Sequence, residues 1–287
     1  MAAGSSAAAI VATASDGGDN VYVLGRFVGT VSIGNNVVTS AGTGDVFIAK
    51  WNQPAAAFVW ARRVGGVGDD YAYALSVSGT SVYAAGSFAG AADFGLATLT
   101  SAGADDGFVV KLSDTGTIGW AQAMGGSGND WVTSLATSGA NVYVGGIFSS
   151  RSAVLGTLAI SNVSDPANGF TNDGFVARLT DAGATSTFAW ARVVGSTGND
   201  MLTALAATGS TVYVAGNLGN TATFGSTLLS GCFYAKLPDT GVGSTFSWAL
   251  GSGGAVFVNA LAVSGPNVYA TGRFLFTSSW GNTTYTN

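Results

Sequence analysis

Three glycine-rich runs end in aspartate: Gly65 to Asp70, Gly125 to Asp130 and Gly195 to Asp200. The middle one, Gly125-Gly126-Ser127-Gly128-Asn129-Asp130, has the Gly-Gly-x-Gly-x-Asp form of calcium-binding glycine-aspartate repeats. Ca²⁺ takes carboxylate and carbonyl oxygens, roughly six to eight of them. One turn per unit cannot supply that number. The competing reading is a tight turn in which glycines take positive φ and the aspartate accepts backbone N–H groups. Asp70, Asp130 and Asp200 are the candidate ligand-binding residues, and turn bracing is the preferred account of them. No catalytic residue and no metal site are expected. No cofactor is implied, and Ca²⁺ is the one cation the pattern admits.

Other side chains pose the same choice. Asp45, Asp106 and Asp173 each stand just before a short apolar run, as ligands or as Asx-type caps of a strand. The neighbouring pairs Asp69-Asp70 and Asp105-Asp106 read as solvated turn carboxylates. Trp60, Trp120, Trp190 and Trp248 fit sugar stacking, or more simply packing between repeats. The chain has no His, which removes the commonest general base and metal ligand and any Ser-His-Asp set. Its single cysteine, Cys232, sits in an apolar run and reads as a small buried side chain. Asp-dependent glycoside chemistry is the one enzymatic route these residues leave open.

The elements that would hold these residues recur. Val21-Tyr22-Val23, Val82-Tyr83-Ala84, Val142-Tyr143-Val144, Val212-Tyr213-Val214 and Val268-Tyr269-Ala270 each lead into a glycine, with the tyrosines 61, 60, 70 and 56 residues apart. Leu75, Leu135, Leu205 and Leu261 precede four of those tyrosines by eight. Downstream come Phe47 to Lys50, Phe108 to Lys111, Phe175 to Arg178 and Phe233 to Lys236, then a Trp-Ala pair. Each unit therefore predicts four strands: A (Ala-Leu-Ala type), B (Val-Tyr-Val), C (Phe-Val-Ala-Lys) and D (Trp-Ala-Arg-Val). The basic residue closing strand C reads as a solvated strand end. Four antiparallel strands repeated about every 60 residues describe a β-propeller blade.

The expected fold is all-β: a propeller of four-stranded antiparallel blades, four full repeats plus a partial fifth. Residues 1–287 form a single array, with repeats at about 7–70, 71–130, 131–200, 201–255 and a partial 256–287. The fifth repeat stops before its strand C, so a partner chain or further repeats are expected at an open C-terminal edge. Met1 to Ala14 lacks a positive n-region, and Ile10-Val11-Ala12 is read as the first strand A.

Composition narrows the partners. Net charge is −5 with only 10 Lys plus Arg among 287 residues, so no basic stripe invites nucleic acid. No apolar run reaches the roughly 18 residues of a membrane span. In an up-and-down blade the B–C and D–A links share one face. That face is expected to be loop-rich, acidic and variable, with the third repeat carrying about ten extra residues between Phe148 and Asp173.

The pattern Gly-x-Gly-Asn-Asp, Asn-Val-Tyr-Val-x-Gly-x-Phe, Phe-Gly and Asp-x-Phe-Val-Ala-Lys-Leu resembles the bacterial β-propeller repeat called the SBBP repeat. The resemblance covers nearly the whole chain. It implies a secreted or cell-surface bacterial protein, extracellular in location, with no shared catalytic residues. The function expected from it is a non-enzymatic scaffold or adhesion protein. The alternatives are a carbohydrate-binding module using the B–C and D–A loop face, and an Asp-dependent glycan-processing enzyme. The expected partner is a protein or glycan at that face.

Overall fold

A computed structural model describes residues 6–163, 171–241, 245–280 and 283–286. All regular structure in it is β, and no helix occurs among the described residues. Short runs of Val, Tyr, Phe, Ala and Thr, punctuated by Gly and Asn, favour this outcome, because branched and aromatic side chains pack well on a pleated surface. The chain divides into two compact units, 1–132 with 182–186 and 133–181 with 187–287.

In the first unit, β1 (Ala7–Ser15), β2 (Asn20–Val28), β5 (Asp45–Asn52) and β6 (Ala57–Gly66) pair antiparallel in that order. Between β2 and β5 the chain makes a small hairpin, β3 (Thr30–Ile33) with β4 (Asn36–Thr39). The next quartet is β7 (Tyr71–Ser78), β8 (Ser81–Asp93), β9 (Thr98–Ser113) and β10 (Ile118–Gly125). Here the hairpin is an extension of β8 and β9 themselves, Ala91–Asp93 against Thr98–Thr100.

β11 (Asp130–Ser138), which crosses the division between units, opens a third quartet with β12 (Asn141–Phe148), β15 (Asp173–Asp181) and β16 (Ser186–Val194). Its hairpin is β13 (Ser152–Leu155) with β14 (Leu158–Ser161). The last strands are β17 (Met201–Thr208), β18 (Thr211–Phe224), β19 (Thr227–Pro238), β20 (Trp248–Ser264), β21 (Asn267–Trp280) and β22 (Thr283–Thr286), joined in sequence order into one six-stranded sheet. One strand, β20, serves two roles. Its first residues pair with β19, and Ser252 onward pair with β21.

The B–C links are therefore two-stranded hairpins rather than the irregular loops their length suggests. The third link adds the stretch 162–172, of which 164–170 lies outside the described residues. The A strands β1, β7, β17 and β20 carry a register shift, at Ile10/Ala12, Ala72/Ala74, Leu202/Ala204 and Val258/Ala260. A bulge repeated at one position re-aims each of these strands in the same way.

The core follows the repeat. In the first unit it gathers Tyr22, Leu24, Ile48, Trp60, Val82, Phe88, Phe108 and Leu112, all buried. The second unit gathers Tyr143, Val176, Trp190, Leu202, Val214, Phe233 and Leu237. Glycine at the head of strand C lets the next A strand approach. A Cβ on Gly107 would sit 2.9 Å from a Val132 methyl, and one on Gly174 would sit 3.3 Å from the Leu202 Cβ.

Candidate functional site

The three glycine-aspartate turns fold alike. Asp70 accepts the Gly66 N–H at 2.7 Å and the Ala89 N–H at 3.3 Å. Asp130 accepts the Gly126 N–H at 2.6 Å. Asp200 accepts the Ser196 N–H, the Ser196 hydroxyl at 2.8 Å and the Gly219 N–H at 2.9 Å. All three aspartates are buried, Asp200 completely. The turn is a carboxylate bracing its own backbone, with Asp70 and Asp200 also reaching the start of the following B–C link.

The aspartates before strand C lie against the same turns. Asp45 accepts the Ala41 N–H at 3.0 Å, Asp106 the Ala102 N–H at 3.0 Å and Asp173 the Val163 N–H. They too are buried. The glycines that begin the turns make room for them: a Cβ on Gly125 would lie 2.5 Å from the Asp106 carboxyl carbon, and one on Gly195 2.6 Å from that of Asp173. At Gly65 a Cβ would meet Asp70 at 2.5 Å and Asp45 at 3.0 Å, so both carboxyl groups border one point. Adjacent aspartates in a polar turn suggest solvation, yet only Asp69 and Asp105 are partly exposed, Asp69 with 43% of its side chain exposed and an ion pair to Arg26. Asp70 and Asp106 are 1% and 3% exposed. The spacing between strand C and the D–A turn, not the local dipeptide, decides their burial.

Desolvation raises these carboxyl groups. It pushes Asp70 and Asp106 up to about 6 and Asp173 up to about 7, with the paired carboxylate adding to the shift in each case. Asp200 is raised as well, again by burial first.

B–C links and D–A turns do come together. Thr43 donates its hydroxyl to the Gly68 carbonyl at 3.2 Å, and Thr171 donates to the Gly198 carbonyl at 2.7 Å. The Ala104 N–H reaches the Gly128 carbonyl at 3.3 Å. The D–A turns expose Val67, Ser127 and Asn129 in the first unit and Thr197 and Asn199 in the second, not the buried aspartates.

A second recurring cluster escaped the sequence reading. Tyr22, Lys50 and Trp60, one from each of strands B, C and D, converge on Asp114, which stands in the C–D turn of the next repeat. In the second unit Tyr143, Arg178 and Trp190 converge on the Asp239 carboxylate at 2.7, 2.9 and 3.0 Å, whereas Trp60 donates to the Asp114 backbone carbonyl. Lys50 and Arg178 are thus ion-paired and largely covered, not solvated strand ends. Lys-x-x-Asp, as Lys111 to Asp114 and Lys236 to Asp239, was the available signal. It went unread because the partners lie one repeat apart. Trp60 and Trp190 spend their indole N–H groups on these clusters.

Among the described residues, no three His, Cys, Asp or Glu side chains gather as a metal site. No helix among them is long and apolar enough to cross a membrane. No protein-family model matches the chain, and no curated protein is similar to it.

Proposed function

We propose that the chain is a segment of a β-propeller, each quartet a blade, that serves as a non-enzymatic scaffold or adhesion module on or outside a bacterial cell. The observation that carries this reading is the clamp of Tyr143, Arg178 and Trp190 on Asp239, with its counterpart on Asp114. One repeat's B, C and D strands grip the next repeat's turn, which is how face-to-face blades would be fastened. The recurring aspartates point the same way: their oxygens hold turns together. A chain that spends its repeated polar side chains on its own repetition is suited to presenting a rigid surface. The likeness of its motif to the SBBP repeat supports the extracellular location.

An uncovered sheet face fits the same proposal. Val258, Thr271, Gly272, Phe274 and Tyr285 line a groove on the β20–β21 face. In the third repeat the corresponding face, at Gly145 and Gly174, receives Leu202. A strand packed on this face as β17 packs on the third repeat is the occupant proposed for this groove.

Imaging of the purified chain by cryo-electron microscopy tests the architecture, and blades packed side by side about a common axis are expected. Quartets strung out without a common axis overturn it. Antibody labelling of intact source cells tests the location; a signal only after lysis counts against it. Binding on a glycan array that is lost on replacing Asn129 and Asn199 would move the reading to a carbohydrate-binding module.

A further inference from the structure

Two buried carboxyl groups meet in each of the first three repeats, and one oxygen in each pair has nothing to bond. Asp45 Oδ1, Asp106 Oδ1 and Asp173 Oδ1 are buried without a hydrogen-bond partner, although the other oxygen of each accepts a backbone N–H. An orphaned, fully buried carboxylate oxygen costs more than most single contacts return. The second carboxyl of the pair braces the D–A turn and adds a like charge to the first. Asp173 and Asp200 lie within hydrogen-bonding reach of each other. Two carboxylates cannot hydrogen-bond unless one carries a proton.

We propose that the pairs Asp106/Asp130 and Asp173/Asp200 are proton-binding sites, each holding one proton between two carboxyl groups and so tying the D–A turn to the start of strand C. A pair of buried like charges a few ångströms apart cannot both ionise without a large penalty, and one shared proton removes it. A cation would face backbone N–H groups already aimed at these carboxylates, and two carboxylates fall far short of the oxygens Ca²⁺ requires.

The repeats themselves vary the pair informatively. In the first, Arg63 Nη1 lies 2.8 Å from Asp45 Oδ2 and adds a cation to the pair, while Asp70 stays raised to about 6 by burial and by Asp45. The corresponding residues in the second and third repeats, Ala123 and Val193, carry none. In the fourth, both acids are gone together: Gly231 and Val256 stand where Asp173 and Asp200 stand. An acid pair with a cation, with a proton, or replaced as a whole are three ways to avoid a buried double negative charge.

Asp105 and Asp130 add like charges beside Asp106, and Asp200 adds one beside Asp173. Asp70 feels Asp45 and Asp69, with Arg26 engaged by Asp69 and Arg63 by Asp45. The proton-bearing groups are raised above their unfolded value of 3.8. Folding then binds protons between that value and about 6 to 7, so stability is full below the lower limit and lost as pH rises through the upper one.

Infrared spectra of the intact chain with carboxyl-¹³C aspartate test this directly. A protonated, buried carboxyl band is expected to persist at pH 5.5 and to vanish by pH 8.5. Urea unfolding is expected to show the unfolding constant rising by about tenfold or more from pH 5 to pH 8. Asp173→Asn gives Asp200 an amide donor without a proton, so part of that pH dependence should disappear. Should the variant not fold, the spectrum of the native chain still decides. No protonated band at pH 5.5, or stability regained at pH 8 on adding Ca²⁺, overturns the proposal.

Discussion

The Tyr143 hydroxyl donates to Asp239 Oδ2 at 2.7 Å, across 96 residues of sequence. Arg178 and Trp190 complete the grip on a carboxylate whose side chain is 2% exposed. Asp239→Ala would leave a guanidinium, an indole and a phenol short of their acceptor. Removing one partner of a buried charged pair costs about 3–5 kcal/mol. Tyr143→Phe, which removes one donor and leaves the pair, should cost about 1 kcal/mol. Asp114 is a milder case, because 37% of its side chain meets solvent. Asp114→Ala is expected to cost less than Asp239→Ala, since solvent screens its ion pair. Urea unfolding of the three variants checks the ranking, and equal losses at Asp114 and Asp239 would contradict it.

Acid should unfold the chain through these clamps. Burial works against the Asp239 charge, but hydrogen bonds from Tyr143, the Gly241 N–H, Arg178 and Trp190 outweigh it and hold the carboxyl below its ordinary 3.8. A group lowered in the folded state stabilises above its unfolded pKa, and that contribution fades as pH falls through the folded one. The paired aspartates behave in the opposite sense, losing their contribution toward about 6 and 7. The melting temperature should therefore peak near the ordinary carboxyl value of 3.8 and fall on both sides. A flat profile from pH 3 to pH 8 would show that neither set matters.

Close approach between repeats should make certain glycines irreplaceable. A side chain at Gly174 meets the Val194 carbonyl at 2.9 Å and the Leu202 Cβ at 3.3 Å, both parts of a packed core. Gly174→Val is expected to destabilise by about 2–4 kcal/mol through overpacking. Gly139 instead lies in the A–B turn at φ +61° with nothing within 4 Å. Asn tolerates that backbone region, so Gly139→Asn should cost well under about 1 kcal/mol. Comparable losses in denaturant midpoint at the two sites would refute the distinction.

Strand pairing within each repeat was legible because the repeat printed the same four runs several times; the β6–β8 pairing and the single strand β20 joining the fourth and fifth repeats were not. Tyr143 could be placed on strand B, and Arg178 at the end of strand C, without any structure. Their meeting with Asp239 could not, since it depends on how one repeat lies against the next. Burial of the turn aspartates was illegible for a related reason. Asp70 and Asp106 look solvated beside Asp69 and Asp105, and only the stacking of strand C on the D–A turn encloses them. Long B–C links likewise read as loops, because Thr30–Thr39 and Ser152–Ser161 alternate too briefly to announce a hairpin.

Cys232 should be chemically silent in the folded chain. It is 1% exposed, packed with Ala204, Ala215, Val256 and Val258. Burial pushes its thiol up to about 11, so very little thiolate exists at neutral pH. Reaction with an aromatic disulfide reagent is expected to be slow in buffer and rapid in urea, following opening of the last repeats. Rapid native labelling would mean that the β17–β20 packing is not maintained in solution.

The turn aspartates should govern stability rather than recognition. Asp200 is the acceptor for the buried Ser196 N–H and hydroxyl and for the partly covered Gly219 N–H. Asp200→Ala strands these donors, and a loss of about 2–4 kcal/mol is expected from the unsatisfied groups. Asn199, next to it, is exposed on the same turn and offers its side chain to the Asn172 N–H at 3.2 Å. Asn199→Ala should be nearly neutral for folding. If this face binds a glycan or a protein, Asn199→Ala is the change that should weaken binding, while Asp200→Ala should lower the melting temperature and leave the affinity of the folded fraction intact. Isothermal titration on both variants, below the melting temperature of each, separates the two roles; lost affinity in a fully folded Asp200→Ala chain would place the aspartate in the binding surface after all.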